Sequence, residues 1–244
     1  MPNIRMTIQY DGTKYYGFQR QKDKPTIQNK LEECLGRILD EEIEIIGSGR
    51  TDAGVHALAQ TVNFHSQTEL PPKEIAKLLN TYLPKDIAVT SAQYCSERFH
   101  SRYKVLQKTY MYRINRKGFS NVFERKYVFD FFDPLDVEKM KEAAKVMKGT
   151  HDFKGFSAVK KTDKSTMRTL IKVGFEEKDG ELDIIYTGSG FLRNMVRILT
   201  GTLIEVGTGD REVSSINEIF ETRDRTKAGF TAPAEGLILI GAKY

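Results

Sequence analysis

The sequence predicts an α+β fold built as two related β-α-β-β-α-β halves, the split βαβ (ferredoxin-like) pattern, joined in one extended, mostly antiparallel sheet with helices on one face. Three observations predict it. Some segments alternate apolar and polar residues with period two, others repeat apolar residues at three and four, and the two kinds follow one another in the same order twice along the chain.

In the first half, "NIRMTIQYDG" puts Ile4, Met6, Ile8 and Tyr10 on one face of a strand. "TIQNKLEECLGRILD" changes period, with Ile27, Leu31, Cys34/Leu35 and Ile38 on one stripe of a helix entered just after Pro25. Two strands, 42–47 and 58–65, flank a polar loop. "PPKEIAKLLNTYL" starts with prolines, which a helix N-terminus tolerates, and carries Ile75, Leu78, Leu79 and Tyr82. "DIAVTSAQYC" closes the half as a strand.

The second half repeats the order. Strand "KTYMYRINR" (108–116) leads through "ERKYVFDFF" to the helix "PLDVEKMKEAAKVMKG", whose stripe is Val137, Met140, Ala144 and Met147 and whose C-cap is read as Gly149. A strand pair, 166–178 and 181–187, turns at "KDG". The helix "FLRNMVRILTGTLIEVG", a short helix near 213–222 and a last strand, "GLILIGAKY", complete the chain. We expect two domains, 1–105 and 106–244. The junction "HSRYKVLQ" (100–107) has no Pro, Gly or Ser-rich linker, hence the expectation of one shared sheet.

Composition bounds the function. With 244 residues, 39% hydrophobic and 10% aromatic, the chain can furnish a core without staples. Cys34 and Cys95 lie far apart, and the N-terminus runs into a strand with no signal-peptide pattern, so a reduced, cytoplasmic compartment is expected. No apolar run reaches the roughly 20 residues of a membrane helix. A net charge of +5 and a pI near 9.0 favour a polyanionic partner.

The loop "GSGRTDAGVHALAQ" (47–60) is longer and more polar than a hairpin needs. Asp52 lies on a connection that a rigid scaffold can present, with Arg50 two residues away to keep a carboxylate ionised and Gly49 and Gly54 to allow close backbone approach. On spacing alone, Arg50 and Asp52 also read as a plain turn salt bridge. Other chemistries find no support. His56, His65, His100 and His151 lack metal-ligand spacing; "GSGRTDAG" lacks the GKS/T ending of a phosphate loop; no GxSxG elbow occurs; and neither cysteine has a nucleophile's setting. No metal site is expected.

Five blocks in order settle on one likeness. "GRTDAGVHA" resembles the signature of the tRNA pseudouridine synthase A (TruA) family. "YDGTKYYGFQRQ" followed by "TIQNKLEE" resembles its N-terminal motif, "FHSRY" with "KTYMYRI" its middle one, and "GFLRNMVRILTGTLIEVG" and "AEGLILI" its C-terminal ones. Where the family usually carries Trp, this chain has Phe18, read as packing or stacking by another large aromatic.

The resemblance implies isomerisation of uridine to pseudouridine. The N1–C1′ bond breaks, the base turns and C5 joins C1′, with no cofactor or metal. It implies a basic cleft in which the target base is extruded from the RNA. The essential carboxylate maps onto Asp52. It can attack C1′, add to uracil C6 or remove the C2′ proton, and the sequence leaves the three open. Tyr110 maps onto the family's active-site tyrosine, stacking on the base and helping to remove the C5 proton; Tyr110 and Tyr112 also fit a core-facing strand. Arg197 maps onto the basic partner of the carboxylate, although Arg193 and Arg197, four apart on a helix, also read as surface arginines. Leu237 maps onto an apolar pocket residue, or a plain core leucine.

Arg20, Arg50, Arg102 and Lys108 are the candidate RNA contacts around the cleft, with "RKGFSNVFERK" (116–126) and "KKTDKSTMR" (160–168) as peripheral contacts or plain solvated loops. The implied partner is the tRNA anticodon arm, at nucleotides 38 to 40, bound across a homodimer. The alternatives are a non-catalytic RNA-binding protein of the same fold, or a nucleotide hydrolase using Asp52 as general base.

Overall fold

The computed structural model describes residues 1–160 and 164–244, which carry ten strands and five α-helices in an α+β arrangement. The chain forms two compact units, one of Met1–Leu106 with Ile238–Tyr244 and one of Gln107–Leu237.

The first unit runs β1 (Asn3–Tyr10), α1 (Ile27–Leu39), β2 (Ile46–Gly47), β3 (His56–His65), α2 (Pro72–Tyr82) and β4 (Ile87–Cys95). β1 lies between β4 and β3, antiparallel to both, and its inward residues Ile4, Met6 and Ile8 are fully buried. Each such side chain contributes roughly 1.5–3 kcal/mol by leaving water. β2 pairs with β3.

α1 begins as its sequence dictates. Thr26, just after Pro25, is extended, and its hydroxyl accepts from the Asn29 amide at 3.3 Å, satisfying one of the orphan donors of the first turn. Ile27, Leu31 and Leu35 form its buried stripe. β2 is shorter than the alternation of 42–47 predicts. The Ile45 amide donates to Glu32 Oε1 and the Ile45 carbonyl accepts from Gln28 Nε2, so side chains of α1 take the main-chain groups that a neighbouring strand would otherwise use.

The second unit runs β5 (Gln107–Asn115), β6 (Phe129–Asp130), α3 (Val137–Met147), β7 (Gly149–Asp152), β8 (Met167–Lys178), β9 (Glu181–Gly188), α4 (Met195–Thr208) and α5 (Ser215–Thr222). Its strands lie in the order β5-β9-β8-β7, all antiparallel, with β6 parallel beside β5. The β8–β9 hairpin turns on Asp179 and Gly180, both with positive φ, which matches the twist of the flanking strands. α4 is buried on most of its circumference, as its near-continuous apolar sequence requires.

Gly149 is not the C-cap of α3. Lys148 takes that place in an extended conformation, its amide donating to Ala144, and Gly149 opens β7, which pairs with β8 from Leu170 onward. The last strand, β10 (Leu237–Lys243), runs parallel to β3, with Ile238 opposite His56 and Leu239 opposite Ala57. Among the described residues no helix is long and apolar enough to cross a membrane.

Candidate active site

The loop between β2 and β3 is fixed to the segment that follows β1. The Phe18 amide donates to the Thr51 carbonyl and the Gly54 amide to the Tyr15 carbonyl, each at 3.2 Å. Tyr10 Oη and Thr51 Oγ1 share a buried hydrogen bond of 2.8 Å. Gly17, at φ 89°, lies so close that a Cβ there would stand 2.4 Å from the Thr51 carbonyl oxygen. Only glycine adopts that conformation without strain and admits that approach. From within β3, Gln60, fully buried, donates to the Gly49 carbonyl at 2.8 Å and accepts from Ser48 Oγ at 3.2 Å. The Gly12 amide donates to His56 Nδ1 at 3.0 Å.

Asp52 is therefore the half-buried centre of a loop whose main chain is held on both sides, the Val55 amide closing its own turn onto the Asp52 carbonyl at 3.2 Å. Arg50 is exposed and donates through Nε to Gln19 Oε1 at 3.0 Å. Arg20 pairs with Glu32 at 3.1 Å. Phe18 is 1% exposed, with its ring over Gly47, so it packs under the loop and presents no face on which a base can stack in this conformation. The Tyr15 phenol donates to Asp86 at 2.6 Å, and burial with that carboxylate raises its pKa above the ordinary phenol value.

Arg102 is exposed in the "FHSRY" turn. Asn63 Oδ1 accepts from the buried Ser101 amide at 2.9 Å, and the Ser101 carbonyl accepts from Tyr244 Oη at 2.9 Å. His100 Nδ1 accepts from the Arg102 and Tyr103 amides at 3.1 and 3.3 Å. Burial, and then the charge of Arg102, lower the His100 pKa. The ring is thus kept as the neutral acceptor the turn needs.

In the second unit, Tyr110 is central on β5, 6% exposed, opposite Tyr186 of β9, its ring meeting the Phe191 ring edge to face at 5.2 Å. Tyr112, two residues on, is fully buried and donates to the Pro233 carbonyl at 2.8 Å. Arg197 on α4 donates through Nε to the Ala232 carbonyl at 2.6 Å and through Nη1 to Asn194 Oδ1 at 3.3 Å, while the Ala232 amide returns a bond to the Arg197 carbonyl. Tyr112 and Arg197 together hold the segment that leads into Leu237, itself 4% exposed. Arg193 is exposed and lies before α4, ahead of the left-handed Asn194 that caps it, so the two arginines do not share one helix face as their spacing suggests.

Lys108 is the second residue of β5, opposite Gly188. The 116–126 loop is anchored by Asn115, whose amide donates to the Phe119 carbonyl at 2.8 Å and to Asp130 at 2.6 Å, and it leaves Phe119 and Phe123 exposed. Of the 160–168 segment, residues 161–163 lie outside the described residues. No cluster of three or more His, Cys, Asp or Glu among the described residues could hold a metal ion.

Sequence reasoning missed Gln28 and Gln60, two buried amides that organise the loop's surroundings. A signal was present for Gln28, which falls among the apolar residues Ile27, Leu31 and Leu35 of α1; Gln60 stands beside other polar residues in β3 and had none as clear. A polar residue there must find partners.

The family described as tRNA pseudouridine synthase matches residues 6–104 and 143–244. The chain is 43% identical to tRNA pseudouridine synthase A 2 of Clostridium perfringens over 239 residues, 98% of each chain. It is 44% identical over 245 residues to tRNA pseudouridine synthase A of a Bacillus species, and 41% identical over 244 residues to that of a Thermoanaerobacter species, with 100% of each chain covered in both.

Proposed function

Because the chain belongs to the tRNA pseudouridine synthase family, it is an isomerase that converts uridine to pseudouridine in tRNA, and we propose that Asp52 is the side chain that initiates the reaction. The observation that carries this reading is the fixation of Thr51 and Gly54 on either side of it. A carboxylate that must meet one atom of an extruded nucleoside gains from a main chain that does not have to be ordered during the reaction.

The target lies in the anticodon arm, at nucleotides 38 to 40. The uridine leaves its stack at a cost of a few kcal/mol and enters a basic cleft. Phosphates are met by Arg20, Arg50, Arg102 and Lys108, which supply affinity but no sequence information. Once the base is held, the N1–C1′ bond breaks, the uracil turns and C5 bonds to C1′. The proton lost from C5 is balanced by the one gained at N1, so atoms and charge close without oxidant, donor or hydrolytic water.

Tyr110 is the group proposed to lie against the uracil and assist loss of the C5 proton; its edge contact with Phe191 fixes the ring for that task. Arg197 is proposed to serve the carboxylate, and its bonds to Ala232 and Asn194 give the guanidinium a set orientation. Leu237 is proposed as an apolar wall of the base pocket. The protein is proposed to act as a homodimer in the cytoplasm, where its substrate resides.

The test is direct. An unmodified tRNA transcript is incubated with the protein, mapped with carbodiimide and weighed intact. Pseudouridine at 38 to 40 with unchanged RNA mass is expected. Shortened RNA, or RNA bound but left unmodified, contradicts the reading.

A further inference from the structure

We propose that Gln28, with Glu32 one turn further along α1, is a positioning residue that fixes through Gln19 the direction in which Arg50, and beside it Arg20, offer their charge to the RNA. The inference rests on the reading of these two arginines as phosphate contacts.

Gln28 is 4% exposed, a burial that an amide tolerates only when its hydrogen bonds are made. All four are. Its Oε1 accepts from Gln19 Nε2 at 3.0 Å and from the Arg20 amide at 2.9 Å. Its Nε2 donates to Glu32 Oε1 at 2.8 Å and to the Ile45 carbonyl at 3.1 Å.

The polarity of this chain is set by groups that cannot change role. The Arg20 amide can only donate and the Ile45 carbonyl can only accept, so the orientation of the Gln28 amide is decided by the main chain. With its oxygen facing Gln19, Gln19 must present Nε2 inward and Oε1 outward. That oxygen receives Arg50 Nε at 3.0 Å. Glu32, whose side chain is 9% exposed, completes the second arm. Its Oε1 accepts from the Ile45 amide at 3.0 Å and its Oε2 from Arg20 Nη1 at 3.1 Å.

Two exposed arginines are thus tied to one buried amide–carboxylate pair. An arginine held through Nε keeps its two terminal amino groups for a bidentate contact to phosphate oxygens, and it surrenders less rotamer freedom on binding than an untethered one. Gln19 carries no charge and bonds Arg50 directly, so its removal alters the electrostatics of RNA binding chiefly by way of Arg50.

The experiment measures the affinity for tRNA that wild-type enzyme has already fully converted, so that no turnover intrudes, over a range of salt concentrations. It compares the wild type with Gln19→Met, Arg50→Ala and the double variant. Arg50→Ala is expected to lower the slope of log K against log salt by about 0.7 to 0.9, the value of one phosphate contact. Gln19→Met is expected to weaken low-salt binding by roughly three- to tenfold and to reduce the slope in the same sense, with no further loss when Arg50 is already alanine. Gln28→Leu should act on Arg20 as well; if it folds poorly, the Gln19 comparison stands alone. Normal binding by Gln19→Met beside weakened binding by Arg50→Ala overturns the inference and leaves Arg50 a phosphate contact, as does simple additivity in the double variant. Normal binding by Arg50→Ala overturns the reading on which the inference rests.

Discussion

Tyr10 Oη and Thr51 Oγ1 lie 2.8 Å apart in the interior of the first unit, so the residue that precedes Asp52 is bonded to the end of the first strand. The two residues are 4% and 6% exposed, which means that water cannot replace the bond if one partner is lost. Tyr10→Phe and Thr51→Val should each cost about 1 kcal/mol, or a midpoint lower by roughly 2–4 °C for a chain of this size. The turnover number should fall while KM for tRNA stays near its original value, and the double variant should be little worse than either single one. Independent, additive losses would show that the pair does not act as a unit.

Gly17 offers a sharper probe of the same loop. Alanine there meets both a positive φ and the Thr51 carbonyl oxygen, whereas Gly118, also at positive φ, has open space around it. Gly17→Ala should therefore cost more than Gly118→Ala, which carries only the left-handed backbone penalty of about 1–2 kcal/mol. Turnover should drop in the first and persist in the second. Equal thermal midpoints and equal rates would remove Gly17 from the account.

His100 gives a pH dependence whose sign follows from its lowered pKa, caused first by burial and then by Arg102. In the unfolded chain the imidazole binds a proton below about pH 6.5. In the folded chain it does so only at lower pH. Between the two the unfolded state holds more protons, so stability falls as the pH drops through 6.5 and stops falling below the folded pKa. Protonation also removes the acceptor of the Arg102 and Tyr103 amides. An NMR titration should place the His100 midpoint below 6.5 and move it upward in Arg102→Ala. A midpoint at or above 6.5 would contradict the assignment.

Tyr110 separates stacking from proton transfer. Tyr110→Phe keeps the edge contact with Phe191 and loses only the hydroxyl. If the phenol assists loss of the C5 proton, the turnover number should fall by about 10²-fold or more with KM for tRNA little changed. A fully active Phe variant would leave the residue a packing role.

The fold was legible where the pattern acts locally. Period-two and period-three-four runs located β1, α1 and the β8–β9 hairpin, because alternation, an apolar stripe entered after Pro25, and the turn residues Asp179–Gly180 are signals carried by neighbouring residues. It was less legible where a side chain competes with the ladder. Gln28 and Glu32 take the main-chain groups of Ile45, which shortens β2 to Ile46–Gly47. Gly149 followed the composition of a helix cap and instead opens a strand, since β8 supplies partners that no local rule foresees. In the candidate site, the loop around Asp52 stood out as too polar for a hairpin. Its support through Tyr10, Gly17 and Gln60 depends on contacts between distant segments and could not be read from spacing.

The Asp52 carboxylate is proposed to initiate the isomerisation. Asp52→Asn keeps the shape of the side chain and removes its charge, and the measurement is tritium release from tRNA carrying C5-labelled uridine, with tRNA affinity determined in parallel. Release reduced by about 10³-fold or more, with binding largely kept, is expected. Release at a rate near that of the unsubstituted enzyme would contradict it.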